Sequence, residues 1–103
     1  MQEQPRIVIN ILQEVGAFAE NKDVAAQLRE QQIMPALKLH KIVRLNFQGV
    51  TSATQSFVHA LISEAMRVYT ANVLDQIEFK ECNDQVRKII IIVTDYMQQS
   101  DAA

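Results

Sequence analysis

The 103-residue sequence contains one cysteine, no tryptophan, two glycines and two prolines. Because a single cysteine cannot form an intramolecular disulfide, Cys82 indicates a reducing compartment rather than a disulfide-stabilised secreted domain. A chain of this length buries roughly two thirds of its extended surface on folding, so it needs neither a disulfide nor a structural metal. We therefore expect a single domain over residues 1–103, with short disordered tails at residues 1–4 and 98–103.

The sequence also lacks long apolar runs and clusters of one charge. Its longest uninterrupted apolar segment, residues 89–93, is far shorter than the roughly 20 residues of a membrane-spanning helix, and the amino terminus has no signal-peptide pattern. Ten basic and twelve acidic residues are spread along the chain, for a net charge of −2, without the basic face typical of nucleic-acid binders. We expect a soluble, cytoplasmic protein that contacts neither membranes nor nucleic acid directly.

Strand and helix patterns alternate along the chain. The alternation of side chains over residues 6–12 predicts a strand, and residues 15–19 are consistent with either a short hairpin partner or a loop. A central strand is predicted over 42–47 and a shorter one over 75–79. Since strands that alternate with helices tend to pair in parallel, we predict an α/β domain with a mostly parallel or mixed sheet of three or four strands and about three helices.

Two of these helices carry clear start signals. Asn21 is a good cap for the first helix, which Pro35 should kink or restart near Ile33 because proline has no backbone N–H. Asn83 is a similar cap for the last helix, predicted over residues 86–97. The five β-branched residues at 89–93 locally favour a strand, but the cap and the length of the segment favour a helix.

The chain is organised around residues 41–61, where an apolar strand leads through a glycine turn directly into a helix. Only Arg44 and Asn46 interrupt the apolar pattern, which predicts an interior strand that is buried on both faces. Ser52 and Gln55 have the spacing of a capping box for the second helix, which should end near residue 69. The main buried stripe predicted for this helix consists of Phe57, Leu61, Ala65 and Val68.

The turn at residues 49–56 is the candidate functional site. Backbone amides at the start of a helix are unpaired and face the positive end of the helix dipole, so this turn is suited to an anion. It lacks the glycine spacing and the lysine of a phosphate-binding loop, and its spacing favours an ordinary capped helix start. The candidate interaction residues are Thr51, Ser52, Thr54, Gln55, Ser56 and His59.

No pattern of catalytic or metal-binding residues is visible. Ser56 and His59 share a helical face, but nucleophilic catalysis also needs an orienting acid and an oxyanion site. His40, His59 and Cys82 do not have metal-ligand spacing with the acidic residues. We predict that the protein is not an enzyme and that it binds no cofactor or metal.

The segment LNFQGVTSATQSFVHAL resembles the core of the bacterial STAS-like domain family of unknown function (DUF4325). Asn46 stands where the family has an aspartate, and His59 and Ala60 replace its acidic pair, which questions any function shared through those acids. The resemblance implies a regulatory domain that binds another protein, such as a kinase-like ATPase or a regulator. The matching residues are Leu45, Phe47, Gly49, Val50, Gln55, Ser56, Phe57 and Leu61.

The wider STAS group includes anti-sigma factor antagonists, in which a serine at the start of the corresponding helix is phosphorylated. Ser56 lies at that position, although Thr54 and Phe57 replace the aspartate and glycine near it. The resemblance thus implies a protein-interaction module in bacterial signalling that is switched at Ser56. The alternative is a domain that binds a small ligand or nucleotide at residues 49–56. Self-association is a further expectation, because any exposed part of residues 89–93 would need to be covered.

Overall fold

The computed structural model describes residues 5–102, with side chains described up to Gln99. The alternation of strands and helices confirms the predicted α/β class, whereas the tail predicted at residues 1–4 lies outside the described residues. In chain order, the elements are β1 (Arg6–Asn10), α1 (Ile11–Val15), β2 (Phe18–Ala19), α2 (Lys22–Leu28), a π-helical turn (Arg29–Ile33), α3 (Met34–Lys38), β3 (Ile42–Asn46), β4 (Ser52–Ala53), α4 (Gln55–Tyr69), a 3-10 helix (Ala71–Asp75), β5 (Ile77–Lys80) and α5 (Asp84–Ala102).

The main sheet has three parallel strands, with β3 in the centre between β1 and β5. Its register places Val8 of β1 beside Arg44, which in turn pairs with Glu78 of β5. A second sheet consists of the two short parallel strands β2 and β4. The predicted parallel pairing and the central position of β3 are therefore confirmed.

Within the described residues, helices pack against only one face of the main sheet. The opposite face is polar and partly open, with Val8 exposed and Arg44 and Asn46 half-buried. The expectation that β3 is buried on both faces is wrong, because pairing along both edges makes a strand interior without covering its second face. The strand residues on the covered face that are fully buried are Ile9, Val43, Leu45 and Ile77.

The first strand and the element after it differ from the prediction. β1 ends at Asn10, and Ile11, predicted as part of the strand, instead begins a helical turn in which it is completely buried. Gly16, at a φ of +82°, then redirects the chain. As a result, β2 does not form a hairpin with β1; it pairs in parallel with β4, which lies more than 30 residues later.

The helical segment that precedes β3 follows its capping and proline signals. The Asn21 side chain accepts hydrogen bonds from the amides of Asp23 and Val24, as expected of a helix cap. Regular α-helical bonding ends with α2 at Leu28, and a π-helical turn follows. The α-helix resumes at Met34, one residue before Pro35. In that turn the Met34 amide donates to the carbonyl of Arg29, five residues back. The predicted restart near Ile33 is confirmed, since the wider turn keeps the chain helical around a residue that cannot donate.

The second long helix, α4, is buried along most of its length. Phe57, Leu61 and Ala65 are completely buried, as predicted, but Val68 is 60% exposed. Three further buried apolar side chains of this helix, Val58, Ile62 and Met66, were not assigned to the main stripe. Helical spacing predicts on which face of a helix a residue lies, but not whether that face is covered. Val68 lies in the last turn of α4, where neighbouring elements do not cover its side chain.

The last strand and helix also differ at their ends. β5 begins at Ile77 rather than at residue 75, because a 3-10 helix precedes it. The prediction of helix over residues 86–97 is confirmed, but α5 continues to Ala102 where a tail was predicted from residue 98. Gln98 and Gln99 have good helix propensity, and no proline or glycine ends the helix there. No helix within residues 5–102 is long and apolar enough to span a bilayer.

Ion pairs on the open face of the sheet link all three strands. Glu78 Oε1 lies 3.0 Å from Arg44 Nε and 3.4 Å from Arg6 Nε. The hydrogen bond from Arg44 lowers the pKa of Glu78 more than partial burial raises it, and the charge of Arg6 adds to the decrease. A carboxylate with a lowered pKa in the folded state stabilises the fold above its unfolded pKa, and this contribution is lost as the pH falls through the folded value.

We predict that Glu78→Gln destabilises the protein by a constant amount above about pH 5.5 and by a decreasing amount below about pH 4.5. The measurement is the free energy of unfolding by urea at a series of pH values. Glu20→Gln is the control, because Glu20 is exposed and has no ion-pair partner among the described side chains. A difference from wild type that does not change with pH would contradict a role for the Glu78 charge.

Candidate functional site

The candidate site begins with β4, which is held on one side by β2. The amide of Thr51 donates to the carbonyl of Ala17 at 2.8 Å, and the amide of Thr54 donates to the carbonyl of Ala19 at 3.0 Å. These bonds extend the parallel pairing of the two short strands at both ends. The end of the connection between β3 and α4 is therefore a paired strand rather than a free loop.

On its other side, β4 is bonded by two amide side chains from the start of α5. Gln85 accepts from the amide of Ala53 at 2.9 Å and donates to the carbonyl of the same residue at 3.2 Å. Asn83 donates to the carbonyl of Thr51 at 3.0 Å while it caps α5 by accepting from the amide of Val86. The Gln85 side chain thus makes the paired bonds that a neighbouring strand would make, and the predicted cap at Asn83 is confirmed.

Helix α4 begins immediately after this strand, and its cap is Thr54. The Thr54 hydroxyl accepts a hydrogen bond from the amide of Phe57, three residues later, at 3.1 Å. The capping box predicted at Ser52 and Gln55 is wrong, because Ser52 lies in β4 and Gln55 is already the first helical residue. Thr54, two residues after Ser52, also has a hydroxyl that can cap a helix, and it lies where the chain leaves the strand.

Most amides of the turn are already occupied, which weakens the case for an anion site there. The amides of Val50, Thr51 and Ser52 donate to backbone carbonyls, and those of Ala53 and Thr54 donate to Gln85 and Ala19. Gly49 allows this path of the backbone because its φ of +83° favours glycine. In addition, a Cβ at this position would lie 2.7 Å from Leu12 Cδ2. The turn therefore serves mainly to place the start of α4.

A groove of about 480 Å³ lies beside the first two turns of α4. We call it the α4–α5 groove. It brings together three of the six predicted site residues, Gln55, Ser56 and His59, of which Ser56 is exposed. The residues that line it are Lys22, Gln55, Ser56, His59, Ala60, Ile92, Val93 and Tyr96.

The other three predicted site residues have structural partners outside this groove. The Thr51 hydroxyl donates to the carbonyl of Ala17, Ser52 is half-buried in β4, and the Thr54 hydroxyl caps α4. Sequence analysis grouped five of the six in one turn, with His59 in the helix that follows, but the change from strand to helix separates them. Only the residues after Thr54 face the groove.

Sequence analysis missed the second wall of the groove. Ile92 and Tyr96 come from the middle of α5 and are 41% and 61% exposed, and Lys22 comes from the first turn of α2. These residues are far from Ser56 along the chain, and only the packing of α4 beside both helices brings them together. One available signal was that Ile92 and Tyr96 fall outside the apolar stripe of α5.

The remaining reactive groups do not form a chemical centre. Cys82 is half-buried, and this burial raises the pKa of its thiol, which disfavours the reactive thiolate. Among the described residues, no group of three or more His, Cys, Asp or Glu side chains is arranged to hold a metal ion. The α4–α5 groove is the feature that brings predicted site residues together.

Comparison with models of protein families matched residues 24–87 to a STAS-like domain of unknown function (DUF4325). The match covers well over half of the chain and includes β3, β4 and α4. The chain belongs to this family. Comparisons with curated proteins and with solved structures found no match. The matched part of this STAS-like domain includes Ser56, whereas the α5 wall of the groove lies beyond it.

Asn46, His59 and Ala60, which the resemblance sets against acidic residues of the family, have defined surroundings in this STAS-like domain. The Asn46 carboxamide donates to Asn10 Oδ1 at 3.1 Å and accepts from the amide of Gln48 at 3.0 Å, so it links β1 to β3. An aspartate could not donate the first of these bonds. His59 and Ala60 both line the groove, and none of its lining residues is a carboxylate.

We predict that Gln85→Ala lowers the free energy of unfolding by about 1–3 kcal/mol, because it leaves the amide and carbonyl of Ala53 without their partner. Gln98→Ala is the matched control, since Gln98 is an exposed glutamine of the same helix. Urea denaturation measures the stability, and hydrogen exchange at the Ala53 amide locates the effect. Equal stabilities of the two variants would show that the Gln85 bonds do not hold β4.

Proposed function

We propose that the protein is a regulatory protein-interaction module of bacterial signalling, acts in the cytoplasm and binds its partner at the α4–α5 groove. The observation that carries this proposal is the position of Ser56. It is exposed on the rim of the groove, next to a wall that contains Ile92 and Tyr96. A serine beside partly exposed apolar side chains combines a contact surface with a group that can change its charge.

Phosphorylation of Ser56 would change the groove without disrupting the helix. Ser56 is the second residue of α4, where the helix dipole favours negative charge. A phosphate adds about −1.5 to −2 charges at pH 7, and Lys22 also lines the groove and carries the opposite charge. We therefore propose that the modification alters partner binding by charge and hydration of the groove, while the fold persists.

The partner that this surface suits is another protein. Ile92 and Tyr96 supply apolar and aromatic area, and Gln55 and His59 on the opposite wall supply hydrogen-bonding groups. Interfaces commonly combine aromatic anchors with polar residues at the edge. In line with the family resemblance, we propose a kinase-like ATPase or a regulator as the partner.

We further propose that the protein has no enzymatic activity of its own. Ser56 and His59 share the groove, but no carboxylate in its lining could orient the imidazole as a base. The raised pKa of Cys82 makes a thiol nucleophile unfavourable, and this residue is not part of the groove. The available groups suit recognition better than acyl or phosphoryl transfer.

A second candidate function is the binding of a small ligand near Gly49. A shallow groove of about 430 Å³ at the carboxyl ends of β1 and β3 is lined by the carboxamides of Asn10, Gln13, Asn46 and Gln48. Neutral carboxamides both donate and accept hydrogen bonds, so this surface favours an uncharged polar group such as a nucleobase. An increase in melting temperature with nucleosides, together with no partner protein, would support this alternative.

We predict that Ser56→Asp and Tyr96→Ala each reduce capture of a specific partner from a lysate of the native cells by at least about tenfold. Asn72→Asp and Tyr69→Ala are the matched controls, because both residues are exposed and neither lines the groove. Quantitative mass spectrometry of the captured proteins is the measurement, with circular dichroism to verify folding. A partner retained equally by all four variants would place the interface elsewhere.

A further inference from the structure

Helix α5 has a second apolar surface, on the side opposite to the core. Val86, Ile90 and Val93 are buried, yet Ile91 and Ile92 remain 50% and 41% exposed. At about 100° per residue, these two isoleucines lie on the outward side of the helix. Two adjacent exposed isoleucines in the middle of a long helix are costly to leave in water.

Two opposite charges flank this pair of isoleucines. Lys88 precedes Ile91 by three residues, and Asp95 follows Ile92 by three, so the four residues share one helical face. Lys88 and Asp95 are exposed, and neither has an ion-pair partner within residues 5–99, where the structure describes side chains. Across the centre of the face the order is thus positive, apolar, apolar, negative, with Asp84 and Arg87 further toward the start of the helix.

We propose that this face of α5 binds the same face of a second copy of the chain, with the two helices antiparallel. A two-fold axis at the level between Ile91 and Ile92 brings the four isoleucines together. The same axis places Lys88 of each copy opposite Asp95 of the other, because both charges lie about 5 Å from the axis along the helix. The contact is isologous, as in most homodimers.

The charge order is what favours a second copy over an unrelated partner. A face with opposite charges at equal distances from its centre is complementary to itself when reversed. A parallel arrangement would instead oppose Lys88 to Lys88 and Asp95 to Asp95, so the same pattern also selects the antiparallel orientation. A second copy of the same face therefore pairs both charges, without a partner of different sequence.

The contact should be weak and reversible. Two isoleucines and two charges per copy provide much less than the roughly 800 Å² per partner of a standard stable interface. We therefore expect a dimer that forms at high protein concentration and dissociates on dilution. Lys88 and Asp95 do not line the α4–α5 groove, although Ile92 does, so changes of charge test the dimer separately from partner binding.

Sedimentation velocity over a range of protein concentrations tests this proposal. We predict that Lys88→Glu and Asp95→Lys each raise the dimer Kd by about tenfold or more, because each creates two like-charge contacts. The double variant K88E/D95K, and an equimolar mixture of the two single variants, should both associate within about threefold of wild type, because both restore opposite charges. Lys38→Glu, at an exposed lysine of α3, is the control and should not change Kd.

A wild-type protein that stays monomeric at about 1 mM would overturn the proposal, since even a weak interface associates measurably at that concentration. Dimers that tolerate both single reversals would also overturn it, because their contacts would lie elsewhere. Loss of association in the single variants without recovery in the double variant and in the mixture would exclude the antiparallel pairing of Lys88 with Asp95. Circular dichroism of each variant verifies that the helix is intact.

Discussion

The short strand β4 is the constraint on which the site depends. It is bonded to β2 on one side and to the side chains of Asn83 and Gln85 on the other. Because α4 starts directly after it, with Thr54 as the cap, these bonds fix where the first turn of α4 lies. These bonds also join the start of α5 to the start of α4. The strand β4 therefore positions the two helices that form the walls of the α4–α5 groove.

The one-sided packing of the sheet places this groove. Helices cover one face of β1, β3 and β5, and α4 packs beside both α2 and α5 in that layer. Ser56 and Tyr96, which line the groove beside these helices, are exposed. The opposite face of the sheet is held by Glu78 and its two arginines, so it is available to solvent without exposing a large apolar area.

Local signals in the sequence predicted local structure well. Asn21 and Asn83 cap helices because a short side-chain oxygen reaches the first-turn amides, whatever the rest of the fold. The pairing of β2 with β4 could not be predicted, because two-residue strands have no periodicity and are defined by partners far along the chain. For the same reason, sequence analysis found Ser56 and His59 but not Tyr96. The cap at Thr54 rather than Ser52 also depends on that pairing, which extends the strand through Ala53.

We propose that Ser56 is the residue whose phosphorylation changes binding at the α4–α5 groove. Ser56 is exposed, whereas the hydroxyls of Thr51 and Thr54 are bonded to the backbone and Ser52 is half-buried in β4. The most direct test is to incubate the purified protein with ATP and a lysate of the native cells, and to locate phosphate by mass spectrometry, with Ser56→Ala as the control. We expect phosphate on Ser56 and on neither threonine. Modification of Thr51 or Thr54 instead, or no phosphate in this segment, would contradict it.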